Sequence, residues 1–208
     1  MCKQVDIMRS KLLLVEGRSL LVFLLAFLKH LDITDVQIID FKGITQLKQA
    51  LAPIVRRPQF LQGEIATIGI IRDAEENAFS ALQSVQTALR NVQAGLQIPN
   101  TIASFEGTNP RIGIFILPDG RSPGMLESLC LSAISDLPVA QCIDAFFVCI
   151  NDLAGIQQQG SILVKSRAQA YLASVNAVAW HIGEAAQMGI WDFTHPSFTG
   201  LRGFLRSL

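Results

Sequence analysis

The segment Leu-Leu-Leu-Val-Glu-Gly at residues 12–17 is the stretch on which the fold prediction rests. Four apolar residues run directly into an acid and a glycine, and a short apolar run bounded by glycine is typical of a buried strand. Glu16 then lies at the carboxyl end of that strand, where open α/β sheets hold their ligands. Because a carboxylate is costly to bury alone, Glu16 is expected to be solvated or bound to a partner.

Apolar strands alternate with helices along the rest of the first two thirds of the chain. Strands are predicted at residues 11–15, 36–40, 65–71 and 111–117, and helices at 18–30, 45–55, 79–92 and after residue 124. This alternation is typical of βαβ units. The sequence therefore predicts an α/β fold with a mostly parallel, four-stranded sheet flanked by helices.

The composition of the chain changes after about residue 135. An apolar helix at residues 137–150 and a second helix at 161–175, which carries Lys165 and Arg167, are predicted there. Short helical pieces with scattered aromatic residues follow, and these aromatics must pack on something. Residues 1–135 are expected to form the α/β core, and residues 136–208 a helical extension packed on it. A length of 208 residues suits one structural domain that includes both parts.

Charge and apolar patterning exclude several classes of protein. Lys plus Arg equals Asp plus Glu, 17 of each, which argues against a nucleic-acid coat but leaves room for a local basic rim. The four cysteines form no C-x-x-C pair, so a reducing cytoplasm is the expected compartment. The apolar run at residues 20–28 is far shorter than the roughly twenty residues that span a bilayer, so no membrane anchor is expected.

Acidic residues follow each predicted strand. Glu16 follows the first strand, Asp40 ends the second, the pair Asp73 and Glu75 follows the third, and Asp119 follows the fourth. The carboxyl ends of parallel strands share one edge of a sheet, so these acids are expected to converge. Oxygen ligands suit a hard cation, Mg²⁺ or Mn²⁺. The alternative is that they are solvated helix caps, which is the favoured explanation for Asp40 taken alone.

Basic residues flank the same predicted edge, among them Arg18, Lys42 and Arg72. A phosphate bound beside a metal needs cations, so these side chains are candidates for binding phosphate or nucleic acid. Ordinary solvated charges at helix starts explain them nearly as well.

Two motifs carry a family resemblance. The Leu-Val-Glu-Gly at residues 14–17 and the Ile-Ile-Arg-Asp-Ala-Glu at 70–75 resemble the Toprim domain, the metal-binding module of topoisomerases, DnaG-type primases and OLD-family nucleases. The Leu-Pro-Asp-Gly and Gly-Met-Leu-Glu motifs within residues 114–129, and the tail around 165–167 and 189–196, are similar to an uncharacterised, stand-alone Toprim-like family of bacteria.

The resemblance implies roles for individual residues. Glu16 matches the Toprim glutamate, expected to act as general acid or base or as a metal ligand, and Asp73 and Glu75 fall on the Asp-x-Asp positions that hold Mg²⁺. Glu127 is expected to approach the metal. Glu75 departs from the pattern by one extra methylene, and the only tyrosine, Tyr171, lies in the tail, so topoisomerase activity is not expected.

Three functions stay open at this point. The leading hypothesis is Mg²⁺-dependent phosphoryl transfer on DNA or RNA, of the kind that a nuclease catalyses. The second is a non-catalytic module that binds metal and a nucleotide or nucleic-acid end, as a subunit of a defence or repair system with an ATPase partner. The third is a protein-association scaffold whose apolar surface is buried in a homodimer.

Overall fold

The structure is a computed structural model that describes residues 6–92, 95–175 and 178–208. Its strands and helices, in chain order, are β1 (Lys11–Val15), α1 (Arg18–His30), β2 (Val36–Asp40), α2 (Ile44–Val55), α3 (Pro58–Leu61), β3 (Thr67–Asp73), α4 (Ala78–Arg90), β4 (Phe105–Glu106), β5 (Arg111–Leu117), α5 (Leu126–Ser132), α6 (Pro138–Ala154), α7 (Gly160–Ser174), α8 (Ile182–Gln187), a 3₁₀ turn (Pro196–Phe198) and α9 (Thr199–Arg206).

The strands of the described residues form one sheet in the order β2-β1-β3-β5-β4. Four of them pair in parallel, and β4 pairs antiparallel with β5. The prediction of an α/β fold with a mostly parallel sheet flanked by helices is confirmed. The predicted number of four strands is wrong, because a fifth strand makes the sheet mixed.

The additional strand that the sequence did not predict is β4. It is only two residues long, which is too short to show a period-2 pattern in the sequence. Its position is fixed by packing. The ring of Phe105 lies against the backbone of Gly113 where a side chain would otherwise stand. The same ring stacks on Phe204 of α9, with the two ring centroids 5.0 Å apart.

Side chains of β1 alternate between two hydrophobic cores. Leu13 and Val15 belong to the core on the side of α1, whereas Leu12 and Leu14 belong to the core on the side of α2 and α4. A strand covered on both faces has no need of polar alternation, which explains the continuous apolar run. The sheet therefore separates two layers of helices.

The C-terminal helices pack into the core on the α1 side. Phe193 stacks on Phe27 of α1 with ring centroids 4.5 Å apart, and Phe198 meets the same ring edge-on. Helix α8 approaches α1 closely, because a Cβ added at Gly183 would lie 2.6 Å from the carbonyl oxygen of Ser19. The division of the chain at residue 135 stays a prediction. Within the described ranges, no helix has the length and apolarity needed to cross a membrane.

Replacing Phe27 tests whether the extension shares one core with the sheet. Phe27 is fully buried, so Phe27→Ala is expected to lower the free energy of unfolding by about 3–5 kcal/mol, measured by urea denaturation. The matched control is Phe79→Ala on α4, because Phe79 is 65% exposed and its loss should change stability by no more than about 0.5 kcal/mol. Equal losses in the two variants would contradict this packing.

Candidate functional site

The strand register brings the predicted acids to one edge of the sheet. Val15, the last residue of β1, is level with Asp40 of β2 on one side and with Ile71 of β3 on the other. The backbone N–H of Glu16 continues this pairing by donating to the carbonyl of Ile71 at 3.2 Å. Glu16 therefore leaves β1 directly beside Arg72.

The carboxylate of Glu16 is held from two sides. Its Oε2 lies 3.0 Å from Nε of Arg72, an ion pair without the alignment of a hydrogen bond, and its Oε1 accepts a hydrogen bond from the backbone N–H of Ile44 at 2.9 Å. Ile44 is the first residue of α2, where the helix dipole also favours a negative charge. Glu16 is thus a paired carboxylate with a fixed orientation.

Arg72 is a buried cation. It is 9% exposed, and its Nη1 donates a hydrogen bond of 2.6 Å to Oγ of Ser84 on α4. A guanidinium is retained inside a protein only when its donors and its charge are matched. The ion pair with Glu16 matches the charge of Arg72, and the bond to Ser84 satisfies its Nη1 donor, while Nε remains without a hydrogen bond. The role of Arg72 as a phosphate contact stays a prediction.

A backbone bridge joins the end of β3 to the segment before α5. The N–H of Glu75 donates to the carbonyl of Gly124 at 2.9 Å, and the N–H of Gly124 donates back to Glu75 at 2.7 Å. Just beyond it, the N–H of Leu126 donates to Oδ1 of Asp73 at 3.0 Å. The bridge thereby sets Glu127, in the first turn of α5, next to the acids that follow β3.

The raised pKa of Asp73 identifies this residue as the centre of the group of acids. Burial, the most important cause, and then the nearby charges of Glu127 and Glu75 raise the pKa of Asp73 to about 7. The hydrogen bond from Leu126 acts in the opposite direction, and Glu16 adds a smaller rise. We call Glu16, Asp73, Glu75 and Glu127 the acidic cluster, because the charges of the other three carboxylates act on Asp73 at the carboxyl edge of the sheet.

Asp119 is bound within its own loop after β5. Its Oδ1 accepts hydrogen bonds from the backbone N–H groups of Arg121 and Ser122, at 2.8 and 2.7 Å, and its Oδ2 accepts one from Oγ of Ser122 at 2.7 Å. Burial acts to raise the pKa of Asp119, but these hydrogen bonds outweigh it and hold the pKa below its usual value. Its role as a metal ligand stays a prediction.

Asp40 has a structural role at the same edge. Its Oδ1 accepts hydrogen bonds from the backbone N–H groups of Gly17, at 2.9 Å, and of Lys42, at 2.7 Å. The side chain therefore joins the turn after β2 to the start of α1. Asp40 was expected to be a solvated helix cap, but α1 and α2 have no side-chain cap hydrogen bond, and Asp40 instead binds backbone N–H groups on both sides of the turn.

The other two basic candidates are exposed. Arg18 is the first residue of α1 and lines an open groove of about 690 Å³ together with Trp180 and His181. Lys42 follows Asp40 in a left-handed backbone conformation, with φ of 65°. Arg18 lies two residues after Glu16, and Lys42 two residues after Asp40. Their roles as phosphate contacts stay predictions.

The donor chemistry of the acidic cluster fits a hard cation. Carboxylate oxygens suit Mg²⁺ and Mn²⁺, and Mg²⁺ commonly takes only one or two carboxylates together with phosphate oxygens and water. Asp73, Glu75 and Glu127 could supply them. As the side chains are placed in residues 6–92, 95–175 and 178–208, no three His, Cys, Asp or Glu groups stand close enough to hold a metal ion between them.

Three contacts of the site were not predicted from the sequence. They are the hydrogen bond from Ile44 to Glu16, the bond from Arg72 to Ser84, and the bridge between Glu75 and Gly124. The glycine in the Ser-Pro-Gly stretch before α5 is the one available signal, because glycine there permits an unusual backbone conformation. The other two contacts depend on how the helices pack.

Comparisons with known proteins give a family and a fold. The chain matches the family described as "Protein of unknown function (DUF3226)" over residues 10–208, and it belongs to that family. A solved structure, that of a hypothetical protein from Pyrococcus horikoshii OT3, is similar with a TM-score of 0.62 and 14% sequence identity, covering 96% of this chain and 95% of that one. This likeness concerns the fold alone. No curated protein matches the chain.

The variant Asp73→Asn is expected to stabilise the protein at about pH 8 and to have little effect at about pH 4. The folded state holds the Asp73 proton up to a pKa of about 7, against an ordinary value of 3.8, so ionisation opposes folding increasingly as the pH rises between these values. Asparagine cannot ionise, yet it keeps the acceptor for Leu126. We expect a gain of about 2 kcal/mol at the higher pH, since partial exposure screens the charges.

Urea denaturation at the two pH values measures this difference. The control is Asp40→Asn, which removes a charge at the same edge and also keeps its acceptor atom. A gain for Asp73→Asn that is as large at low pH as at high pH would mean that packing, rather than ionisation, sets its effect.

Proposed function

We propose that this protein binds Mg²⁺ or Mn²⁺ at the acidic cluster and catalyses metal-dependent phosphoryl transfer on DNA or RNA, as a nuclease does. The observation that carries the proposal is the acidic cluster itself, in which burial and neighbouring carboxylates raise the pKa of Asp73 to about 7. Like charges held together in this way are most readily stabilised by a bound cation.

Asp73, Glu75 and Glu127 would hold the cation, and Asp119 is a further candidate ligand from the neighbouring strand. When bound, the cation supplies Lewis-acid stabilisation of the charge that develops on the phosphate oxygens. The Toprim-like motifs at residues 14–17 and 70–75 support the same assignment.

Glu16 is the proposed general acid or base. Its orientation is set by Arg72 and by the N–H of Ile44, at 3.0 and 2.9 Å, and a group that transfers a proton must be held in a fixed direction. Arg18 and Lys42 are the proposed contacts to phosphate, because both are exposed. Arg72 would act on phosphate only indirectly, through Glu16. A cytoplasmic location and an ATPase partner belong to this proposal.

The second candidate is a module without catalysis that binds a metal and a nucleotide, or a protein partner, in a defence or repair system. One observation favours it: both oxygens of Glu16 already have partners, Arg72 and Ile44. A carboxylate engaged in this way can serve as a helix cap and counter-ion instead of an acid or base. The two candidates differ in whether a bound metal leads to turnover.

Calorimetric titration with Mn²⁺ tests the site that both metal-binding candidates need. The wild-type protein is expected to bind Mn²⁺ more tightly at about pH 8 than at about pH 6, because the metal must displace the Asp73 proton below its pKa of about 7. Asp73→Asn should lose this binding. Asp40→Asn, a charge loss at the same edge, should keep the affinity within about threefold. No binding to the wild-type protein at about 1 mM Mn²⁺ would overturn the proposed metal site.

Cleavage assays on single- and double-stranded DNA and RNA test catalysis itself. We expect Mg²⁺-dependent cleavage that falls at least about 100-fold in Asp73→Asn and in Glu16→Gln, since each removes a charge with a direct chemical role. Asp40→Asn is again the matched control. Activity that survives both variants would contradict the assignment, and metal binding without cleavage of any substrate would favour the second candidate.

A further inference from the structure

Helix α6 (Pro138–Ala154) exposes an unusual amount of apolar surface. The structure describes all 17 residues of this helix, and Ile143 is the one buried among them. The exposed side chains include Phe146, Val148 and Leu153, of which Leu153 is 84% exposed. A surface helix normally turns its apolar face to the core and its polar face to water. Helix α6 therefore has apolar surface that residues 6–92, 95–175 and 178–208 leave uncovered.

The exposed residues of α6 follow a regular spacing. Cys142, Phe146, Cys149 and Leu153 recur at intervals of four, three and four residues, and all four are exposed. We call these four residues the apolar stripe. This is the spacing with which one helix packs along another. Cys142 and Cys149 lie in an apolar segment of the sequence, yet the structure places both on the surface.

A groove between α6 and α7 runs beside the apolar stripe. It has a volume of about 730 Å³, and its α6 wall includes Phe146, Phe147 and Ile150. Its α7 wall is more polar, with Lys165 and Gln169. A helix laid on the apolar stripe could place side chains into this groove.

The apolar surface on and beside the stripe is close to what one half of a stable dimer needs. The large exposed side chains on the stripe or beyond the C-terminal end of α6 are Phe146, Leu153, Ile156 and Ile162, whereas Val148, two residues from Phe146, lies on another face of the helix. At half exposure or more each of the four contributes on the order of 100 Å², or roughly 400 Å² together, to which Cys142 and Cys149 add. One side of a standard interface buries about 800 Å², of which about 60% is apolar, or roughly 500 Å².

The charged residues of α6 and α7 are compatible with an interface between two copies of this chain. Helix α6 carries Asp144 and Asp152, and α7 carries Lys165 and Arg167, so the surface has no net charge. Arg167 forms an ion pair with Asp144 within the chain. In a twofold dimer the same patch meets itself, so equal numbers of opposite charges avoid like-charge contact.

Two other kinds of partner fit poorly. A helix that binds a membrane surface needs Lys and Arg on its polar side to meet anionic lipids, and nucleic acid needs the same charges for its phosphates. Helix α6 contains no Lys or Arg and has two aspartates. We propose that α6, together with the adjoining face of α7, is the twofold interface of a homodimer.

Sedimentation equilibrium at protein concentrations of about 1 to 100 μM tests this proposal. The wild-type protein is expected at twice the 22.7 kDa mass of the chain. Leu153→Asp and Phe146→Asp should each raise the dissociation constant of the dimer by at least about 30-fold, because each places a charge in the centre of the interface. Phe146→Leu keeps the apolar contact and should preserve the dimer.

The matched control is Phe79→Asp, because Phe79 is an exposed phenylalanine on α4 and lies outside the apolar stripe. It should leave the dimer intact. Since Leu153 is largely exposed, its variant should fold normally, and circular dichroism with thermal unfolding verifies this.

A wild-type protein that stays monomeric at about 100 μM would overturn the proposal. A dimer that persists in both aspartate variants of α6 would do so as well. The test uses neither metal nor substrate, so its failure is distinct from that of the proposed function.

Discussion

The pairing of β1 between β2 and β3 is the constraint on which the rest of the structure depends. Four consecutive side chains, Leu12 to Val15, are fully buried and supply both hydrophobic cores. Burying each such side chain contributes about 1.5–3 kcal/mol, so a shift of register by one residue would exchange the two cores at great cost. The fixed register in turn determines where Glu16 leaves the sheet and which residue of β3 it meets.

The acidic cluster shows how the fold opposes a local repulsion. Carboxylates that repel one another would separate if their backbones were free to move. The bridge between Glu75 and Gly124, and the hydrogen bond from Leu126 to Asp73, hold the backbone of both segments in place. Such arrangements are typical of functional sites, where a fold gives up some stability to keep groups ready for a ligand.

The main strands, and the position of acids at the carboxyl edge of the sheet, could be predicted from the sequence for a physical reason. Buried parallel strands are apolar throughout, and the acids follow them directly, so local order in the chain already implies nearness in space. The burial of Arg72 could not be predicted, because it depends on Ser84, which α4 brings from twelve residues further along the chain. The exposure of Cys142 and Cys149 could not be predicted either, because an apolar helix normally packs against other parts of its own chain.

The short strand β4 has a consequence for how this protein avoids aggregation. Strand β5 is seven residues long and almost wholly apolar, and an open edge of that kind would offer its free backbone groups to another chain. Phe105 and Glu106 pair with part of that edge, and the N–H of Ala103 donates to the carbonyl of Ile114 at 2.7 Å. The two-residue strand that replaces this part of β5 at the border offers only a short template, which disfavours edge-to-edge growth there into larger assemblies.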